Sequence, residues 1–294
     1  MIEIAPWVRD SLASGRPVVA LETAVVTHGL PRPVNLEAYE EMCAAVRAAG
    51  AAPAPVGVVE GRVRVGLAPE EIRRLAEGPA EKAGLADLPV LAARGVSAGT
   101  TVAATLWAAH RAGIRVFATG GIGGVHRGWN RLPDVSGDLP ALARFPLCVV
   151  CSGAKVVLDL AATREALETA GVPVVGYRTD RFPAFVCADA GFPVRYRAEG
   201  PGEVARVVQC RDGLGLTAAV LVVNPPPAGH AMPREVVEGV LADAGGCEGG
   251  GEVTPRLLSR LAEATEGATL AANRALLVAN AGLAAEIARH LAGA

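Results

Sequence analysis

The sequence predicts an α/β fold: a single α/β/α domain with a mainly parallel central sheet flanked by helices. Three observations carry this expectation. Short β-rich runs alternate with helical patterns along the chain. The runs are rich in Val and apolar at successive positions, as in strands covered on both faces. Of the 294 residues, 51% are hydrophobic, enough to bury a sizeable core.

Taken in order, the strand candidates are PVVALE (17–22), APVGVVEG (54–61), IRVFAT (114–119), LCVVC (147–151), VPVVGY (172–177) and AAVLVVN (218–224). Each is short, apolar and bounded by turn residues. Helical patterns fill the intervals at 35–49, 69–77, 99–112, 156–170, 202–212 and 233–244, and a long final helix is expected over 268–291. The stretch ADAGGCEGGGEV (242–253) reads as a Gly-rich loop between two helices. No fixed-period repeat and no domain boundary is visible, so the whole chain, 1–294, reads as one domain.

Composition narrows the function. The net charge of −2 has no basic block, and aromatic residues make up 4% of the chain, which argues against nucleic acid as a partner. No apolar run reaches the roughly 18–20 residues of a membrane span, and the first residues lack a secretory pattern. Six scattered cysteines in a well-cored chain suit a reducing, cytoplasmic location. Cys148 and Cys151 form a CVVC inside a strand candidate, where buried packing rather than a redox pair is expected.

In open parallel sheets the ligand site lies beyond the carboxyl ends of the strands. Four post-strand loops hold the unusual residues: TAVVTHGLPRPVN, TGGIGGVHRGWNRLPDVSGD, SGAK and PPPAGHAMP. The glycines of TGGIGGVHRG (119–128) do not form a dinucleotide fingerprint, because His126 takes the third glycine position, and no P-loop match exists. They read as a backbone surface that a ligand approaches closely, or as a tight turn without a ligand.

Lys155 follows a buried strand and precedes an apolar stretch. Desolvation favours a neutral amine, which can attack a carbonyl or sugar carbon and form a Schiff base; the plainer role is a lysine that snorkels to water. Glu22 ends the first strand candidate, placed for acid–base work or for a loop cap. Asp138 suits the cap of the helix that follows it, and Asp134 could hold a hard cation. No zinc spacing is present, so any metal would be Mg²⁺- or Mn²⁺-like and largely hydrated. His28, His126 and His230 occupy three of the loops, which the fold would gather at one sheet edge. The residues alone thus describe an α/β enzyme with a lysine nucleophile, an acidic partner and exposed amides suited to a sugar phosphate.

In order, these loops resemble the pseudouridine-5′-phosphate glycosidase family. The matching stretches are VALETAVVTHGLPRPVN, TTVAAT, FATGGIGGVHRG, DVSGDL, VVCSGAK, GVPVVGY, PAFVC, VVNPPP with AMP, and TPRLL, collinear from about residue 17 onward. The resemblance implies reversible cleavage of the C–C glycosidic bond of pseudouridine 5′-phosphate to uracil and ribose 5-phosphate, a divalent metal (usually Mn²⁺) and a homotrimer. It places the Schiff-base lysine on Lys155, the proton donor on Glu22 and the metal-binding aspartate on Asp134. Substrate contacts fall on Lys82, Val102, Ser136, Gly137 and Asp138, with His126 and Asn273 at further motif positions.

The chain departs from the family pattern in SAGTT (97–101), in VCADAG after PAF, and in the charged set Arg178, Asp180 and Arg181. These changes bear on the ring if they line the base pocket. A second reading is therefore a C-ribosyl synthase that joins ribose 5-phosphate to another aromatic acceptor. A third, of another class, is a sugar-phosphate-binding protein without turnover, which would need neither Lys155 nor Glu22.

Overall fold

The computed structural model describes residues 2–243 and 253–293. Its strands, in chain order, are β1 (Ile2–Ile4), β2 (Val18–Leu21), β3 (Ala52–Val59), β4 (Arg62–Val65), β5 (Glu81–Ala83), β6 (Ala98–Thr100), β7 (Val116–Ala118), β8 (Cys148–Cys151), β9 (Val174–Tyr177), β10 (Tyr196–Ala198) and β11 (Val220–Val223). The helices are α1 (Pro6–Ala13), α2 (Val34–Ala48), α3 (Pro69–Glu77), α4 (Leu88–Arg94), α5 (Val102–Ala112), α6 (Asp138–Arg144), α7 (Leu160–Thr169), α8 (Pro201–Gly213), α9 (Arg234–Asp243), α10 (Val253–Ala264) and α11 (Ala268–Ala292). One π-helical turn spans Val25–Gly29.

The sheet runs β1-β4-β3-β2-β7-β8-β11-β9-β10, with β6 paired to β3 and β5. All pairs are parallel except β3 with β4 and β3 with β6. The central strands β2, β7, β8 and β11 are buried along their whole length, as their unbroken apolar sequences require. From β2 the chain winds outward to β3 on one side, while β7 and β8 lie on the other. The winding therefore reverses between β2 and β7, and a crevice opens at their carboxyl ends.

Local chemistry sets the element ends. Pro6, Pro69 and Pro201 open helices, where a missing N–H is harmless. Gly113 ends α5 in the left-handed region. Asp159 caps α7 by accepting from the Ala162 N–H at 2.9 Å.

Three expectations are corrected. The helix read over 99–112 begins at Val102, because Ala98–Thr100 is drawn into the sheet between β3 and β5. The helix read over 156–170 begins at Leu160, because the preceding residues are bridged to neighbouring loops, Ala154 to Ile122 and Leu158 to His126. The strand read over 54–61 ends at Val59, and Glu60 and Gly61, both at positive φ, turn it back into β4 as a hairpin. Of the loop read over 242–253, residues 244–252 lie outside the described residues. Cys148 and Cys151 are fully buried in β8, and burial pushes both thiols up to about 12, which removes them from redox chemistry.

Candidate active site

Strand register builds the site. Leu21 sits beside Ala118, and Ala118 beside Val150. The next residues, Glu22, Thr119 and the Cys151–Ser152 pair, emerge together at the carboxyl edge. Glu22 is 7% exposed and accepts a short hydrogen bond from the Thr119 hydroxyl. Burial holds its carboxyl above the usual carboxylate value; the Lys155 charge and the Thr119 hydrogen bond pull it back, while Asp138 pushes it up.

Lys155 reaches the same place by a different route. After β8 the chain turns through Gly153 at φ +74°, where a Cβ would lie 1.9 Å from the Pro183 carbonyl oxygen. Glycine alone fits there. The Ile122 N–H donates to Gly153 O at 3.0 Å, and the Lys155 N–H donates to Ile122 O at 3.1 Å. These bonds tie the SGAK loop to the glycine-rich loop and hold the half-buried Lys155 beside the crevice.

The glycine-rich loop serves two ends. Gly120 and Gly121 line the crevice. Gly123 and Gly124 are packed instead: a Cβ at either would come within 2.3 Å of Ser136 Oγ or Thr163 Oγ1. Close packing thus accounts for Gly123 and Gly124, while Gly120 and Gly121 border both the crevice and the Phe185 ring.

The crevice is a small cavity of about 70 Å³ lined by Glu22, Lys82, Lys155, His28, Asn273 and Phe185 among others. Lys82 comes from β5, Asn273 from α11 and His28 from the π-helical turn. Such turns are frequent at functional sites. Of the sequence-predicted residues, the structure thus joins Glu22, Lys82, Lys155 and Asn273. A larger hollow of about 990 Å³ lies beside α1 and α2, lined by Trp7, Tyr39 and Arg47, and contains none of the predicted site residues.

The others form a neighbouring layer. The carboxylate of Asp138 accepts from the Ala103 N–H at 3.0 Å and the Gly123 N–H at 2.8 Å. It therefore caps α5, not its own helix, whose N-cap is Gly137. Val102 is buried as the first residue of α5. The Asp138 N–H donates to Ser136 Oγ at 3.2 Å. Asp134 Oδ2 lies 3.8 Å from His126 Nδ1. Among the three loop histidines only His28 lines the crevice; His126 is bridged to Leu158 in the neighbouring layer and His230 is exposed.

The variant segments do not line it either. Gly99 of 97–101 packs behind the π-helical turn, where a Cβ would meet Thr27 Oγ1 at 2.3 Å. Asp189 pairs with Arg181 at 2.8 Å and Asp180 with Arg197 at 2.9 Å, both exposed. Arg178 donates to the Glu199 carbonyl at 3.0 Å. Gly99 and the charged residues are thus absorbed by packing and by surface contacts, whereas Val186, which opens VCADAG, lines a hollow of about 780 Å³ beside the crevice.

Sequence reasoning missed the residues that hold the site. Asn280 on α11 is fully buried; its Nδ2 donates to Thr119 O at 2.9 Å and Ser152 Oγ at 3.1 Å, and its Oδ1 accepts from Asn224 Nδ2 at 3.0 Å. One side chain thus pins the ends of β7, β8 and β11. An asparagine among the buried alanines and leucines of this helix is the signal that marks it.

An amine beside a buried carboxyl group, at a strand-end crevice, is equipped for covalent attack on carbon with proton transfer. For a metal, no group of three or more His, Cys, Asp or Glu side chains that could hold an ion occurs among the described residues. A cation that keeps most of its water needs only one or two carboxylates. Asp134 fits that demand, whereas both oxygens of Asp138 are engaged by backbone N–H groups.

Comparison with known proteins agrees with this architecture. The model of the family "Indigoidine synthase A like protein" matches residues 7–290. The chain is 50% identical over 301 residues to pseudouridine-5′-phosphate glycosidase of Methylobacterium nodulans, covering 100% of this chain and 89% of that protein. It is 54% identical over 282 residues to the protein of the same name in Thermus thermophilus, covering 94% and 98%. Among solved structures it is similar to an indigoidine synthase A-like protein of Thermotoga maritima, with TM-score 0.92 and 38% identity over 99% of this chain and 97% of that one. It is equally similar to the prealnumycin C-glycosynthase in complex with ribulose 5-phosphate, with TM-score 0.92 and 37% identity over 100% and 97%.

Proposed function

The chain belongs to the Indigoidine synthase A like protein family, and from that premise we propose how it works as an enzyme that reversibly cleaves pseudouridine 5′-phosphate to uracil and ribose 5-phosphate. The observation that carries the mechanism is that Lys155 and the buried Glu22 line one crevice at the switch point of the sheet.

The bond to be broken joins two carbons, so protonation of a leaving oxygen, the first act of ordinary glycosidases, is not open to it. Glu22, whose carboxyl holds its proton more tightly because it is buried, gives that proton to the ribose ring oxygen as the bond from that oxygen to C1′ breaks. The Lys155 amine bonds to C1′. Its nitrogen lone pair then forms the C=N of a Schiff base as the bond from C1′ to uracil C5 breaks. That electron pair stays on C5, which takes up the proton that the attacking amine has passed to the Glu22 carboxylate. Water hydrolyses the Schiff base and releases ribose 5-phosphate. Lys82 counters the phosphate charge, Asn273 meets the substrate at the crevice wall, and Val102, Ser136, Gly137, Asp138 and His126 approach it from the neighbouring layer. Asp134 holds a hydrated Mn²⁺ or similar cation, which supplies counter-charge and ordered water when bound. We also propose a homotrimer and a cytoplasmic location; among the described residues no helix is long and apolar enough to cross a membrane.

A second reading is favoured by the C-glycosynthase neighbour: the same lysine chemistry joins ribose 5-phosphate to a different aromatic ring. The test is synthesis from uracil, ribose 5-phosphate and Mn²⁺, with an EDTA control, and borohydride trapping of ribose 5-phosphate. Pseudouridine 5′-phosphate formed by the wild type and lost with EDTA supports the first reading. Trapping without that product favours the second. Lys155→Ala is expected to lose both turnover and trapping while still binding ribose 5-phosphate; full turnover in that variant refutes the Schiff base.

A further inference from the structure

The crevice of about 70 Å³ has room for a few waters, each of which takes ~10–15 Å³ by the same measure. A ribosyl phosphate and its base need more. Directly outside lies a second hollow of about 780 Å³, which shares His28, Gly29, Phe185, Leu258 and Asn273 with the crevice. Phe185 supplies the phenyl ring common to both.

The backbone under this ring is unusual. Ala184 and Cys187 exchange two backbone hydrogen bonds, 2.9 and 3.0 Å long, which close a two-residue turn. Phe185 takes the first central position at φ +58°. Glycine is the ordinary occupant there, and a bulky residue is strained. The turn is braced from both sides: the Phe185 N–H donates to Ser152 O and the Met232 N–H to Val186 O, each at 2.8 Å. The ring is 4% exposed and lies against Gly120 and Gly121, where a Cβ would approach it to 3.2 and 2.8 Å. A strained aromatic residue faces glycines that leave room for its ring, at the boundary of two cavities.

The two cavities differ in chemistry. The inner one holds the cations Lys82 and Lys155, which suit the sugar phosphate. The outer one has Leu30, Leu258, Leu261 and Leu270 on its walls together with Arg256, Glu263 and Glu266, and the Asn273 amide and the Phe185 ring lie at the shared boundary. At that boundary a phenyl face beside leucines and an amide suits a planar heterocycle, with the polar groups farther out available to its edge. We propose that the outer hollow is the subsite of the base and that Phe185 determines specificity for it, by packing its ring on the heterocycle where the two cavities meet. This rests on the activity proposed above. It also places no upper limit near the size of uracil on the ring that the site can accept.

The test uses the synthetic direction, with KM measured separately for uracil and for ribose 5-phosphate. Phe185→Leu is expected to raise the uracil KM about tenfold or more and to leave the ribose 5-phosphate KM and borohydride trapping within about twofold. Phe185→Tyr, which keeps the ring, restores the uracil KM. Should leucine not be tolerated in the turn, Phe185→Gly, which suits the positive φ, carries the same comparison. An unchanged uracil KM in these variants, or an equal rise in both KM values, overturns the proposal. A wild type that makes no pseudouridine 5′-phosphate overturns the activity beneath it, and the wild type alone reports that.

Discussion

Asn280→Leu removes the side chain that joins three strand ends to α11. Three hydrogen bonds go, each with a net contribution of about 0.5–1.5 kcal/mol. Leucine also leaves the Thr119 carbonyl without the amide from which it accepts, at about 1 kcal/mol or more. The larger apolar side chain recovers part of this loss, so we expect about 3 kcal/mol of destabilisation. At roughly 2–4 °C per kcal/mol for large domains, Tm falls by about 6 °C or more. Urea unfolding followed by circular dichroism measures the first quantity and a thermal scan the second. Thr119 also donates to Glu22, so the folded variant should trap ribose 5-phosphate more slowly. A change in stability below about 0.5 kcal/mol with a wild-type trapping rate would refute the claim that Asn280 holds the site together.

Thr119→Val deletes the hydrogen bond that lowers the Glu22 pKa, so the pH at which Glu22 ionises should move up; the pH profile of kcat/KM reads the shift, and a downward move contradicts it. Glu22 itself has a raised native pKa, so the native state binds the proton more tightly than the unfolded state. Its contribution to stability therefore falls as pH rises from its ordinary value through the raised one and levels off above. Glu22→Gln should flatten that decline in urea midpoints measured across pH, and an unaltered profile counts against it. Gly153→Ala places a methyl group against the Pro183 carbonyl at positive φ and should cost about 3 kcal/mol or more, whereas Gly213→Ala, in a helix with nothing within 4 Å, should be neutral or slightly stabilising; equal Tm values for the two would refute the packing argument.

Much of the architecture was legible because the central strands are buried on both faces and announce themselves as apolar runs. The short outlying elements, β1, β5, β6 and β10, have three residues each, too few to show a period. Lys155 and Glu22 could be found because strand-end positions in a parallel sheet converge, whatever their separation along the chain. The histidines could not be sorted that way. His28, His126 and His230 all occupy loops, and only the π-helical turn, invisible in residue spacing, brings His28 to the crevice. The role of Asp138 was misread for a related reason. A carboxylate at a helix start looks like a local cap, and only tertiary structure shows that it serves the N-terminus of α5 instead. Family resemblance supplied the assignment of Lys82, which sits in a short strand with no local signal of its own.

The bonds from Asn280 to Thr119 and Ser152 have a temporal meaning. Glu22 and Lys155 are made before α11, which carries Asn273 and Asn280. A nascent or truncated chain without α11 carries both reactive groups but lacks the peg that aligns the strands beneath them. Such a fragment would not display a half-assembled amine to the reducing sugars and aldehydes of the cell in the geometry of the finished site. Alignment of the strand ends thereby waits on α11, the helix that carries both asparagines.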